Sequence, residues 1–94
     1  MIEFELQLDI IHLNMNFQSL STDRQHQFLE LVQDEYAGID DVTSQVVESI
    51  VTCMYLQSPT NDLEDTLQPS TNLELFSVVL RNISDMLNDF LYLV

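Results

Sequence analysis

Ile2-Glu3-Phe4-Glu5-Leu6-Gln7-Leu8-Asp9-Ile10-Ile11-His12-Leu13-Asn14-Met15-Asn16-Phe17 alternates apolar and polar side chains with a single slip. In an extended chain Ile2, Phe4, Leu6, Leu8 and Ile10 fall on one side, and Glu3, Glu5, Gln7 and Asp9 on the other. A period of two is the pattern of a strand with one buried face. At Ile10–Ile11 the register shifts by one, and Ile11, Leu13, Met15 and Phe17 then run opposite His12, Asn14 and Asn16. A β-bulge or a sharp bend produces such a shift, so the segment reads as one bulged strand or as a bent hairpin. No Gly, Pro or Asn-Gly at the slip supports a tight turn there. A helix is the competing reading, because Ile2, Leu6, Ile10, Leu13 and Phe17 also share one helical face. The alternation is the stronger pattern and predicts a strand over 2–17. A strand needs partners for its backbone N–H and C=O groups, and no second strand is evident. It must fold back on itself, add to a partner's sheet through the edge bearing Glu3, Glu5, Gln7 and Asp9, or pair with a second copy as a homodimer.

The remainder reads as helical. Ser21-Thr22-Asp23 is a helix start, with Thr22 and Gln25 at capping-box spacing. Phe28, Leu29, Val32 and Tyr36 form the apolar stripe of a helix over about 22–37, and Gly38 is placed to end it. Asp40 or Asp41 caps a second helix over 41–57 that carries Val42, Val46, Val47, Ile50, Val51 and Met54. Its many β-branched residues leave a buried strand as the alternative. Pro59 and Pro69 bracket a linker over 58–70, in which Leu63 and Leu67 suggest one helical turn. Thr71-Asn72-Leu73-Glu74 is a second capping box and opens a helix over 71–93. Leu73, Phe76, Leu80, Ile83, Leu87, Phe90 and Val94 give that helix a seam with spacings of three and four. Charge pairs flanking the seam are scarce, so it reads as the core of an intramolecular bundle. The expected fold is α+β and mainly helical: an N-terminal strand or bent hairpin followed by three helices in one domain spanning 1–94.

Sixteen acids stand against two arginines, Arg24 and Arg81, with no lysine, for a formal charge of −14 on 94 residues. Yet 46% of the residues are hydrophobic, which separates this chain from acidic disordered segments that lack material for a core. Two cations cannot neutralise a phosphate backbone, so direct nucleic-acid binding is excluded. An anionic bilayer would repel the chain, and no run approaches the ~20 apolar residues of a membrane helix. The acidic N-terminus lacks the positive charge of a secretory signal. The single cysteine, Cys53, allows no internal disulfide and reads as a buried thiol in a reducing, cytoplasmic setting.

Catalytic chemistry finds little support. His12 and His26 lie in different elements without a second ligand at metal-binding spacing. Cys53 sits among Ile50, Val51 and Met54, as a core thiol would. One glycine cannot build a phosphate loop. The expectation is therefore a non-enzymatic protein with no metal and no cofactor.

Acids occur in every element. Glu30, Asp34, Glu35, Asp40, Asp41, Asp62, Glu64, Asp65, Asp85 and Asp89 are the candidate partner-binding residues. Their bland reading is a solvated surface. The functional reading starts from their cost: like charges such as Asp85 and Asp89, four apart on one helix, repel. Duplex DNA carries one charge per ~1.7 Å of axis, and rows of carboxylates along a helix approach that density. The expected function is an inhibitor that docks on a basic nucleic-acid-binding protein or nuclease complex by imitating nucleic-acid charge. Small acidic phage proteins that antagonise CRISPR, restriction or repair enzymes are similar in size and charge alone. The alternative is an acidic immunity protein, antitoxin or secretion chaperone. A continuous carboxylate face favours the mimic, and an exposed apolar groove favours the chaperone.

Overall fold

The computed structural model describes residues 4–57 and 72–92. The linker 58–70, with Asp62, Glu64 and Asp65, lies outside these residues, as do Glu3, Thr71 and Val94. Four helices and no strand are present among the described residues: α1 (Phe4–Gln18), α2 (Thr22–Glu35), α3 (Asp41–Met54) and α4 (Leu73–Tyr92). The last three match the expected helices to within a few residues at each end.

The N-terminal strand and the α+β class are overturned, because that segment is α1. Leu6, Ile10, Leu13 and Phe17 are buried along one helical face, whereas Phe4 and Met15, placed on the buried sides by alternation, are 73% and 62% exposed. A helix closes its own backbone hydrogen bonds, and a strand without a partner cannot. Leu, Met, Gln and Glu are also good helix formers. Glu5, Gln7 and Asp9 consequently sit on a helix and pair no strand, and the need for a second copy to complete a sheet disappears with it.

α1, α3 and α4 pack on one another, and α2 leans chiefly on α4. The α4 seam is internal as expected: Phe76, Val79, Leu80, Ile83, Leu87 and Phe90 are all buried. Aromatic rings tie the elements together, with centroids 6.3 Å apart for Phe17 and Phe28, 5.5 Å for Phe28 and Phe90, and 5.1 Å for Phe17 and Tyr55. These spacings lie in the favourable range for tilted and edge-on pairs.

Local signals fix the ends of the helices. Ser21, one residue before the expected Thr22, caps α2 by accepting from the Arg24 N–H. Asp40 caps α3, accepting from the Thr43 N–H at 3.2 Å and the Thr43 hydroxyl at 2.8 Å. Asn72 caps α4 by accepting from the Leu75 N–H at 3.1 Å. Gly38 turns the chain between α2 and α3 at φ 77°, a conformation that costs other residues ~1–2 kcal/mol.

The C-terminal end of α3 is capped from α1. Asn14, a buried polar residue, donates its amide to the carbonyl oxygens of Cys53 at 2.9 Å, Met54 at 3.2 Å and Leu56 at 2.7 Å. Gln18, one turn further along, donates to Met54 at 2.8 Å. The last carbonyls of a helix have no partner within it, and here two amides at i and i+4 of a neighbouring helix supply one.

Candidate protein-docking surface

Every acid among the described residues is exposed. The helices sort them into two groups. Glu5 and Asp9 share a stripe of α1 with His12 and Asn16, while Asp85 and Asp89 share a stripe of α4 with Arg81 and Asn88. Asp9, His12 and Asn16 face Arg81, Ser84, Asp85 and Asn88 across a polar cleft of about 240 Å³. Two carboxylates, a guanidinium and neutral polar groups line this cleft, so its charge is mixed.

The second group gathers where α2 hands over to α3. Asp34 and Glu35 lie in the last turn of α2, Asp40 caps α3 and Asp41 opens its first turn, all within eight residues of chain. Asp40 and Asp41 sit at the positive end of a helix dipole, which favours them, but Asp34 and Glu35 sit at a negative end, which does not. No basic residue occupies the last turn of any of the four described helices. Hydrogen bonds from the Thr43 hydroxyl, and then its N–H, hold the Asp40 carboxyl below its usual range.

Beside this corner, α2 and α3 diverge around a groove of about 550 Å³. Leu29, Val32, Gln33 and Tyr36 form one wall, Ser44, Val47, Glu48, Val51 and Thr52 the other, and Ile39 lies at the connection. Val32 is buried, and Leu29, Tyr36, Ile39, Val47 and Val51 are half-buried, each with apolar surface left for a further contact. Glu48 is the charged residue of the lining. On the helical period Asp41 precedes Glu48 by two turns and shares its face of α3.

Both arginines are directed elsewhere. The Arg24 guanidinium lies 4.4 Å from the Phe90 ring centroid and donates to the Phe90 carbonyl oxygen at 2.8 Å, joining the start of α2 to the end of α4. Arg81 lines the α1–α4 cleft. At the far end of α2 the Tyr36 hydroxyl accepts from the Asn82 amide at 2.6 Å, so α1 and α2 flank α4 on different sides.

The residues weighed for chemistry are not assembled. His12 and His26 are both exposed, on α1 and α2, and no group of three or more metal-binding side chains occurs among the described residues. Cys53 is fully buried, and burial pushes its thiol up to about 11, which keeps it protonated and a poor nucleophile near neutrality. No helix among the described residues is long and apolar enough to cross a membrane.

Of the candidate acids, Asp34, Glu35, Asp40 and Asp41 fall at the α2–α3 corner, Glu30 stands about one turn earlier on the exposed face of α2, and Asp85 and Asp89 stand apart on α4. The groove itself was not read from the sequence, and neither was the place of Glu48 in it. Its signal was present: six apolar positions over 42–54 make a stripe wider than one buried face of α3 requires, and Val47 and Val51 are the surplus. No family model, curated protein or solved structure matches the chain.

Proposed function

We propose that this chain is a non-enzymatic acidic protein that docks on a basic partner, a nucleic-acid-binding protein or nuclease complex, and occupies the surface where that partner holds phosphates. The observation that carries this reading is the α2–α3 corner. Four exposed carboxylates crowd into it, and two of them stand at a helix end that disfavours negative charge. An arrangement that opposes local stability fits a role in binding. Charge of this sign and density steers a basic partner to fast, salt-sensitive association. In this reading the protein acts as a phage-type anti-CRISPR or anti-restriction inhibitor.

The apolar groove beside the corner favours a second reading, an immunity protein, antitoxin or secretion chaperone that holds a basic or apolar segment. One experiment separates the two. The immobilised protein is exposed to host lysate at low salt and then washed with rising salt or with duplex DNA. Release of a nucleic-acid-binding protein by both washes is the expected result. Recovery of an apolar secretion substrate that resists salt and ignores DNA overturns the mimic.

A further inference from the structure

We infer that the α2–α3 groove is a seat for a basic amphipathic helix of the protein partner; this deepens the docking reading above and rests on it. Four observations lead there. The groove is mainly apolar, with Leu29, Val47 and Val51 packed on the core yet only half-buried by the described residues, beside Gln33, Ser44, Glu48 and Thr52. Its walls run from Leu29 to Tyr36 and from Ser44 to Thr52, which is ~11 Å or two helical turns at 1.5 Å per residue. That length suits an incoming helix with apolar anchors at i, i+3 or i+4, and i+7. The walls are helices, and with no strand among the described residues there is no sheet edge for an extended peptide to join.

Charge selects the kind of helix. Glu48 lies in the lining, and Asp41 stands two turns before it on the same face of α3. Neither arginine lines the groove, since Arg24 is turned to Phe90 and Arg81 belongs to the other cleft. An acidic helix would meet the Glu48 and Asp41 carboxylates along the α3 wall. A helix flanked by lysines and arginines would neutralise them while burying its anchors. A second copy of this chain is the poorer occupant, because a two-fold contact through the groove would bring two Asp41–Glu48 rows into one interface with no basic residue in the lining.

The test uses three labelled synthetic peptides: an amphipathic helix with leucines at i, i+3 and i+7 and lysines elsewhere; a scrambled peptide of the same composition; and the amphipathic peptide with glutamates in place of the lysines. Anisotropy titrations and the helical circular dichroism of the peptide are followed with the full chain. The basic amphipathic peptide should bind tightest and gain helix on binding. Val47→Gln with Val51→Gln should weaken it roughly tenfold, Glu48→Gln by about two- to threefold, and Asp85→Asn on the other face not at all. If the double variant does not fold, Leu29→Gln carries the same expectation.

Equal binding of the scrambled peptide, unaffected by the groove substitutions, would overturn the groove and leave the basic-partner reading intact. Equal binding of the glutamate peptide would overturn both. Absence of binding by all three overturns the groove, and the lysate capture then decides the docking reading alone. If sedimentation instead finds a dimer that Val47→Gln with Val51→Gln dissociates, the occupant is a second copy and the inference fails.

Discussion

The Asn14 side-chain amide donates to the Leu56 carbonyl oxygen at 2.7 Å, joining α1 to the residues that leave α3. The same amide reaches Cys53 and Met54, so its loss orphans several carbonyls in a buried setting. Asn14→Ala should cost about 1–3 kcal/mol in denaturant unfolding, the penalty of unsatisfied buried polar groups. Asn14→Asp should cost more at neutral pH, because a carboxylate cannot donate and would face carbonyl oxygens. Gln18→Ala, at an exposed position, should cost less than either. Equal losses for Asn14→Ala and Gln18→Ala would show that the capping of α3 does not depend on Asn14.

Arg24 holds α2 to α4 through the face and the carbonyl of Phe90. Arg24→Ala should destabilise the fold by about 1–2 kcal/mol. Arg24→Lys should recover part of this, keeping the charge over the ring while losing the planar donor fork. Thermal unfolding of the pair reads the difference, and two variants as stable as the parent would remove this contact from the account of α2.

Asp40 has a folded pKa below its unfolded value. Its charged form therefore adds stability that is fully present above the unfolded pKa and is lost as pH falls through the folded one. Asp40→Asn keeps an acceptor for the Thr43 N–H without the charge. The parent's advantage over this variant should be constant near neutrality and vanish in acid. Urea unfolding across the acid range measures it, and a difference independent of pH would contradict the assignment.

Asp89 follows Asp85 by one helical turn and lies near the C-terminal end of α4, where both its neighbour and the dipole disfavour it. Asp89→Asn should raise stability by about 0.2–0.5 kcal/mol, and Asp89→Lys by more. Asp85→Asn should gain less, since Arg81 stands one turn before it. Added salt should raise the melting temperature of the parent and narrow its gap to Asp89→Lys. A melting temperature that falls with salt would mean that attraction, rather than repulsion, dominates the surface.

The helices α2, α3 and α4 were legible because caps and 3.6-residue periodicity agreed in each. α1 was not, because Leu6, Ile10, Leu13 and Phe17 fit the buried side of either period. Phe4, Leu8 and Met15 fit the strand pattern only as exposed residues of the real helix, and what decided between the periods was packing against α3 and α4, which no local pattern encodes. Asn14 falls on the polar side of the alternation, yet the fold spends its amide inside. The acids were legible as exposed, but not as two groups, because that depends on which side of α4 each neighbour takes.

The dependence of α2 on α4 also bears on where the fold opens locally. α1, α3 and α4 share interfaces with one another, so each of the three is held by two neighbours. α2 takes its packing chiefly from α4 and adds a contact with α1, so Phe28 is held between Phe90 and Phe17. Local opening therefore begins most easily at α2, the helix with the fewest close neighbours, while the interfaces of α1, α3 and α4 stay closed.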